Sequence, residues 1–335
     1  MADTRTAVSE LATALGMLHH GTAAWAVLQR PAEVHVGPEA WEQLERGLHD
    51  PALQRLADAA YENGVAFTCH AEGLGGRRPR RIEWTGGHRA PGDQVIPADL
   101  RVDRVYLVSC KYVSKVLHNA APARVFDHLL KATDRHDRSD WYARVAPAAH
   151  VQLATAAAAA VGCPFPSDPG DAGVEERRRL RDALRELGRR WPDAAVAPYE
   201  RLCDEVSRAS AARWRTAASS PAAREQLLWR LLRLAAAPYF VLGAGRDDVI
   251  RLRIDTPWDW RQRFHLVAFD IEPAGAGQPQ VTWAATVRDR EAGAEQVVHG
   301  HVEVRWSHGR FGGPPEAKVY LDTPYAEVPG YVPLT

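Results

Sequence analysis

The stretch Ile96–Lys111, IPADLRVDRVYLVSCK, decides how the rest of the chain is read. Asp99 is followed by a short apolar strand, Val105 to Val108, which leaves through Ser109-Cys110-Lys111. Alternate side chains of a strand share a face, so Ser109 and Lys111 project together, toward the side that Asp99 on the preceding strand also faces. A carboxylate, a hydroxyl and an ammonium group then converge on one small volume. A lysine that ends an apolar strand calls for an acidic partner, because burying its charge alone is costly.

Such a set suits phosphodiester chemistry. Negative charge grows on the scissile phosphate in the transition state, and a divalent cation on oxygen ligands offsets it while lowering the pKa of a bound water. A lysine beside that water can orient or help activate it. The Asp99, Ser109 and Lys111 pattern resembles the PD-(D/E)XK nuclease core, over residues 6 to 161 as an order of elements and over a handful of residues as a motif. The resemblance implies a restriction-endonuclease-like fold, Mg²⁺ as cofactor, DNA as substrate and a role in restriction or phage defence. It also implies site roles: Asp99 and a second acid hold the metal, and Lys111 serves the attacking water. Ser109 stands where the family usually has Asp or Glu, and Ala98 separates Pro97 from Asp99. A serine hydroxyl is a neutral, weaker ligand, so a further carboxylate is required. Glu83, on the strand just before, is the first choice, and Glu10, on the first helix, the second. Ser109 and the backbone carbonyl of Cys110 complete the shell. The competing reading is a DNA-binding or scaffolding protein that keeps the fold and has lost the chemistry, for which Ser109 is the direct evidence.

Composition sets the frame. The 335 residues are 46% hydrophobic and 25% charged, an ordinary globular balance with room for more than one domain. With 42 basic and 42 acidic residues the chain has no net field, so a nucleic-acid partner must be met by local basic patches. Cys69, Cys110, Cys163 and Cys203 are scattered without zinc-site spacing, and no apolar run is long enough to span a membrane. A cytoplasmic protein with reduced thiols is expected, with a homodimer or a defence-system protein as partner.

Along the chain, Val8, Leu11, Leu15, Leu18, Trp25 and Leu28 recur at helical spacing up to Pro31. Two more helices are predicted over 38 to 62, the second with Asp50 as N-cap and Pro51 at its first position. Strands are predicted at 64 to 69, 81 to 85 and 104 to 112, a helix over Ala121 to Lys131, a strand at Trp141 to Val145 and a helix over Pro147 to Val161. Helix, three strands, helix, strand, helix is the order that the nuclease core needs. The turn-rich stretch Pro164–Gly173 reads as a linker. Leu180, Leu184, Leu187 and Trp191 mark one helix after it, and Ser220-Pro221 opens another. Strands follow at 239 to 242, 249 to 254, 264 to 272, 280 to 288, 296 to 307 and 317 to 322. The expected class is α+β: a nuclease-like mixed sheet flanked by helices over 1–163, a helical segment over 174–236, and an antiparallel β-rich domain over 237–335 that helps hold DNA.

Candidate phosphate contacts are Arg77, Arg78, Arg80 and Arg81, which lead straight into Glu83, with Lys115 and Arg124 after the motif and His308 and Arg310 in a glycine-rich turn. Glu316-Ala317-Lys318, near His308 and Asp289, has the literal Glu-x-Lys spelling. It opens a strand instead of ending one, and so ranks second as a catalytic site. His299 and His301 share a strand face and lack a third ligand nearby in sequence.

Overall fold

The computed structural model describes residues 4–18, 21–86, 98–112, 116–130, 139–188, 190–244, 249–275 and 277–334. In chain order the elements begin α1 (Thr4–Gly16), α2 (Ala23–Gln29), β1 (Val34–His35), α3 (Pro38–Leu48), α4 (Pro51–Cys69), β2 (Ile82–Trp84), β3 (Leu100–Val102) and β4 (Tyr106–Tyr112). They continue with β5 (Val116–Ala120), α5 (Pro122–Phe126), α6 (Trp141–Val145), α7 (Pro147–Ala160), α8 (Val174–Glu186), α9 (Asp193–Ala217) and α10 (Pro221–Leu231). The last are β6 (Tyr239–Ala244), β7 (Val249–Ile254), α11 (Pro257–Arg263), β8 (Phe264–Ala274), β9 (Gln280–Asp289), β10 (Glu295–Arg305), β11 (Glu316–Leu321) and β12 (Tyr331–Pro333). The fold is mixed α+β, with one mixed and one antiparallel sheet.

These elements form two units. One comprises Met1–Lys115, Arg233–Phe264 and Tyr325–Thr335; the other comprises Val116–Leu232 and His265–Pro324. The expected cut near residue 163 is therefore not where the chain divides, because strands after residue 233 return to the first sheet. Among the described residues no helix is long and apolar enough to cross a membrane.

The first unit is built on a sheet of order β1-β2-β3-β4-β6-β7-β12. The hairpins β2-β3 and β3-β4 are antiparallel, whereas β6 runs parallel to β4, with Ser109 opposite Val241 and Lys111 opposite Gly243. One face buries Ile82, Leu100, Val102, Val108, Phe240 and Leu242 under α1 and α4. The Phe67 and Phe240 rings meet edge to face at 4.8 Å. Helices α1 and α4 cross at Gly16 and Gly64: a methyl group on Gly64 would lie 2.1 Å from the Thr13 carbonyl oxygen, and one on Gly16 1.9 Å from that of Tyr61. That packing explains one departure from expectation. Residues 64–69, predicted as a strand, are the last turns of α4, since the β-leaning VAFTC sequence is overruled by burial against α1. Asp50 caps α4 as expected, its Oδ1 accepting the Ala52 amide at 2.8 Å. The long N-terminal helix is instead two helices. Gly21 adopts φ +68° and Thr22 caps α2, which leaves Trp25 and Leu28 exposed, away from the α1 stripe.

The second unit pairs helices with a sheet of order β5-β11-β10-β9-β8. Burial alternates along its strands: Val281, Trp283, Ala285 and Val287 of β9 and Val298, Val302 and Val304 of β10 are buried. Residues 141–145, predicted as a strand, form α6, because Asp140 Oδ1 accepts the Tyr142 and Ala143 amides at 2.9 and 3.4 Å and starts a helix. The helix predicted over 121 to 131 is confined to α5 within the described residues. The expected C-terminal β domain is redistributed: β8 to β11 belong here, and β6, β7 and β12 to the first unit.

Candidate functional site

Pairing of β3 with β4 ends at Leu100 and Val108, and Asp99 lies just outside it, where the two strands part. Its amide donates to the Val108 carbonyl at 2.8 Å and its own carbonyl accepts the Thr85 amide at 3.0 Å. With the backbone held on both sides, the carboxylate fills the gap: Oδ2 accepts the Cys110 amide at 2.6 Å and the Ser109 hydroxyl at 3.2 Å. Tyr106, Val108, Cys110 and Tyr112 point into the core under the helices, so Ser109 and Lys111 occupy the other face, as the alternation requires. Because a strand residue's carbonyl points the same way as its amide, the Cys110 carbonyl lies on the Asp99 side.

A line of hydrogen bonds backs this carboxylate. Arg233 Nη1 donates to the Tyr239 hydroxyl at 2.6 Å, and Tyr239 is hydrogen-bonded to Ser109. A carboxylate only accepts, so the Ser109 proton faces Asp99, the Tyr239 proton faces Ser109, and a buried guanidinium sits at the far end. Arg233 holds this place with φ +61°, a conformation uncommon for a side-chain-bearing residue.

Glu10 arrives from α1, on the helix side. Trp84 Nε1 donates to its Oε2 at 2.6 Å. Burial first, and the charge of Asp99 second, push the Glu10 carboxyl up to about 8, against the pull of Trp84 and Lys111. Lys111 is displaced the opposite way, down to about 8, by burial and by Arg233, although Asp99, Cys110 and Glu10 favour its charged form. Burial pushes the Cys110 thiol well up, which leaves it neutral. A second buried network fixes the strand that carries Lys111. Asn63 Nδ2 donates to the Gly243 carbonyl at 3.0 Å and to the Tyr112 hydroxyl at 3.2 Å, while its Oδ1 accepts Arg251 Nε at 2.8 Å.

Of the sequence-derived set, Asp99, Ser109 and the Cys110 amide are in contact, while Lys111, on the Ser109 face, and Glu10, on the helix side, feel the Asp99 charge. Glu83, the first choice for the second metal carboxylate, is placed differently. It pairs across the sheet with Arg101, two positions from Asp99, and its Oε1 takes Arg81 at 2.9 Å. It is not among the charges that shift Glu10 or Lys111. The Ser109 hydroxyl links Tyr239 to Asp99. The basic loop is largely spoken for: Arg77 bonds Asp103 at 2.5 Å, Arg78 bonds Glu33 at 2.5 Å and Arg81 bonds Glu83, whereas the Arg80 side chain is exposed. Arg124, His308 and Arg310 belong to the second unit, and Lys115 lies outside the described residues.

The rival triplet is a surface cluster. Glu316 accepts the Ser307 hydroxyl and lies 3.5 Å from His308 and 4.0 Å from Lys318. Partial burial raises its pKa, but hydrogen bonds from Ser307 and Asn119 and the two cations outweigh it and hold the carboxyl below its ordinary value. His301 Nδ1 pairs with Asp322 at 2.8 Å and its ring stacks on Tyr320, while His299 stays exposed.

Among the described residues no three His, Cys, Asp or Glu side chains are grouped so as to hold a metal ion. A pair of carboxylates is nevertheless what Mg²⁺ asks for, since it keeps several waters and is usually bound through one or two carboxylates. Glu10, Asp99 and the Cys110 carbonyl are hard oxygen donors of that kind. No known protein family, curated protein or solved structure matches the chain.

Sequence reasoning missed Arg233 and Tyr239. Nothing in LLRLAAAPYF marks its arginine as buried, and only the parallel pairing of β6 with β4 brings the tyrosine beside Ser109.

Proposed function

We propose that the first unit is a Mg²⁺-dependent endonuclease that hydrolyses DNA phosphodiesters, in restriction or phage defence. The observation that carries this reading is the place of Asp99 where β3 and β4 part: it is tied through Ser109 and Tyr239 to Arg233, and its charge acts on both Glu10 and Lys111. The first sheet supports it as well: β2, β3 and β4 are antiparallel neighbours and β6 lies parallel beside β4, although the strands expected at 64–69 and 141–145 are helical and the helix expected over 121–131 falls in the second unit.

When bound, Mg²⁺ supplies charge to a phosphate oxygen and acidity to a coordinated water. Glu10 and Asp99 are the residues that would hold it, with the Cys110 carbonyl as a third oxygen. Lys111, with its pKa near 8, carries its proton at neutral pH and gives it up readily above that, so its Nζ can orient the attacking water and offset charge on the phosphate. Arg233 orients Asp99 through the hydroxyl groups of Tyr239 and Ser109.

The test is cleavage of plasmid and phage DNA with Mg²⁺, with and without a chelator. Asp99→Ala, Lys111→Ala and Glu10→Gln should each cut at least about 100-fold more slowly than wild type. Equal rates in all four proteins would remove the site from the mechanism. Ser109, in place of an acid, favours a second reading, a DNA-binding protein without turnover. Metal-independent DNA binding with no cleavage, and cleavage gained by Ser109→Asp, would select it.

A further inference from the structure

The second unit contains a cleft of about 780 Å³, within the range of small-molecule sites. Its rim is unusual in charge. Arg181 and Arg185 of α8, Arg305 at the end of β10 and Arg310 in the following turn all line it, together with His308, and none of its lining residues is Asp or Glu. Arg181 and Arg305 are partly offset by Asp182 and Glu303, which lie outside the lining. One wall is aromatic. The Arg310 guanidinium lies 4.3 Å over the Trp191 ring while its Nη1 donates to the Arg190 carbonyl at 2.9 Å, and Trp191 in turn contacts Tyr199 at 4.8 Å.

The arginines are held by the fold. The turn carries Gly309 at φ +92°, and a methyl group on Gly309 or Gly312 would come within 2.8 Å of the Arg181 stem. Glycine is thus required twice, for the backbone and to seat Arg181 against the turn. Planar guanidinium forks match phosphate oxygens in pairs, whereas an indole, a phenol and a stacked guanidinium offer flat faces to a flat ligand. A bare inorganic anion has no use for the aromatic wall, and an uncharged aromatic molecule none for the arginines.

We propose that this cleft binds a nucleotide, its phosphate held by Arg181 and Arg185 and its base laid against the wall of Trp191 and Arg310. The nucleotide is either free in solution or an unpaired nucleotide of a strand, for which the recognising chemistry is the same. The proposal stands whether or not the first unit cleaves DNA, since every lining residue belongs to the second.

Binding to the full-length protein can be followed by calorimetry and by quenching of intrinsic tryptophan fluorescence. The probes are the four common 5′-monophosphates and triphosphates, adenosine, inorganic phosphate and a 5′-phosphorylated single-stranded oligonucleotide. At least one nucleotide or the oligonucleotide should bind saturably with quenching, and adenosine and phosphate should bind at least tenfold more weakly. Arg185→Ala, at an exposed position, and Arg310→Lys, which keeps the charge and loses the planar stack, should each weaken binding at least tenfold. Arg208→Ala, which removes an exposed charge elsewhere in the unit, should leave it unchanged. A mononucleotide that binds more tightly than the oligonucleotide identifies a free ligand, and the reverse order identifies a strand; both support the site. Absence of saturable binding by every probe, phosphate binding as tightly as nucleotides, or unchanged binding in Arg185→Ala and Arg310→Lys would overturn it.

Discussion

Trp84 donates its indole N–H to Glu10, yet that bond does not offset what burial and Asp99 do to the same carboxyl, which titrates near 8 instead of near 4.5. A folded-state pKa above the unfolded one means that the fold prefers the protonated acid. The stabilisation is complete below about pH 4.5 and is lost as pH rises to about 8. In metal-free protein Glu10→Gln should therefore gain on wild type by at most about 1.4 kcal/mol per pH unit across that window and level off above it. Thermal unfolding at several pH values in chelator measures this; a Glu10→Gln protein that loses ground as pH rises would mean that the anion is well paired. The hydroxyl line gives a second expectation. Tyr239→Phe leaves packing in place but removes the donor to Ser109, so Mg²⁺ affinity or cleavage should fall about 10- to 100-fold, as for other groups that orient a metal-binding carboxylate. Mg²⁺ titration and single-turnover cleavage read the two effects separately, and wild-type values in both would show that the line has no functional part. Asp99, Ser109 and Lys111 were legible because strand alternation is a local rule. The action of Asp99 on Glu10 was not, since it depends on where α1 lands on the sheet.

At the scale of elements, α1 carries Glu10 and is set in place by its crossing with α4. Gly64→Ala would drive a methyl group into the Thr13 carbonyl, backbone against side chain, so the helices must part. The expected cost is about 1–3 kcal/mol, with a loss of cleavage beyond that of a merely destabilised protein, because Glu10 moves with its helix. Gly275→Ala, where nothing lies within 4 Å, should stay within about 0.5 kcal/mol of wild type. Denaturation midpoints and rates at a temperature well below unfolding separate the two contributions; a Gly64→Ala protein as stable and active as Gly275→Ala would refute the close crossing. The same element level shows where pattern reading fails. Helix α9 has no mark of its own inside the helical segment expected over 174–236, although it is 25 residues long, because its buried side includes Ala195, Cys203, Ser207, Ser210 and Ala211, small or polar residues that leave little hydrophobic stripe. Strands β8 to β11 were legible for the opposite reason, since buried positions alternate with more exposed ones along β9 and most of β10, with Val281, Trp283, Val287, Val302 and Val304 among the buried residues.

For the whole molecule, the informative fact is that the chain passes between its two units four times, after residues 115, 232, 264 and 324. A sequence pattern has no means of announcing that a strand at 239 completes a sheet begun at 34; only the parallel register of β6 against β4 reveals it. The consequence concerns independence. Residues 1–163 read as a self-sufficient core, but that fragment lacks Phe240 and Leu242, both fully buried against α1 and α4, and also Leu334, buried in the same cluster. It would leave β4 as an open edge beside an incomplete core, a template for association with other chains. The fragment 1–163 should therefore show no cooperative thermal transition and a tendency to aggregate. The fragment 237–335 should fare no better, since its β6 has lost β4 and its β8 to β11 have lost α9. Near-ultraviolet circular dichroism and calorimetry of both fragments beside the full chain provide the measurement. A cooperative, native-like transition in 1–163 alone would show that β6 is dispensable to the first unit, and with it the placement of Tyr239 beside Ser109.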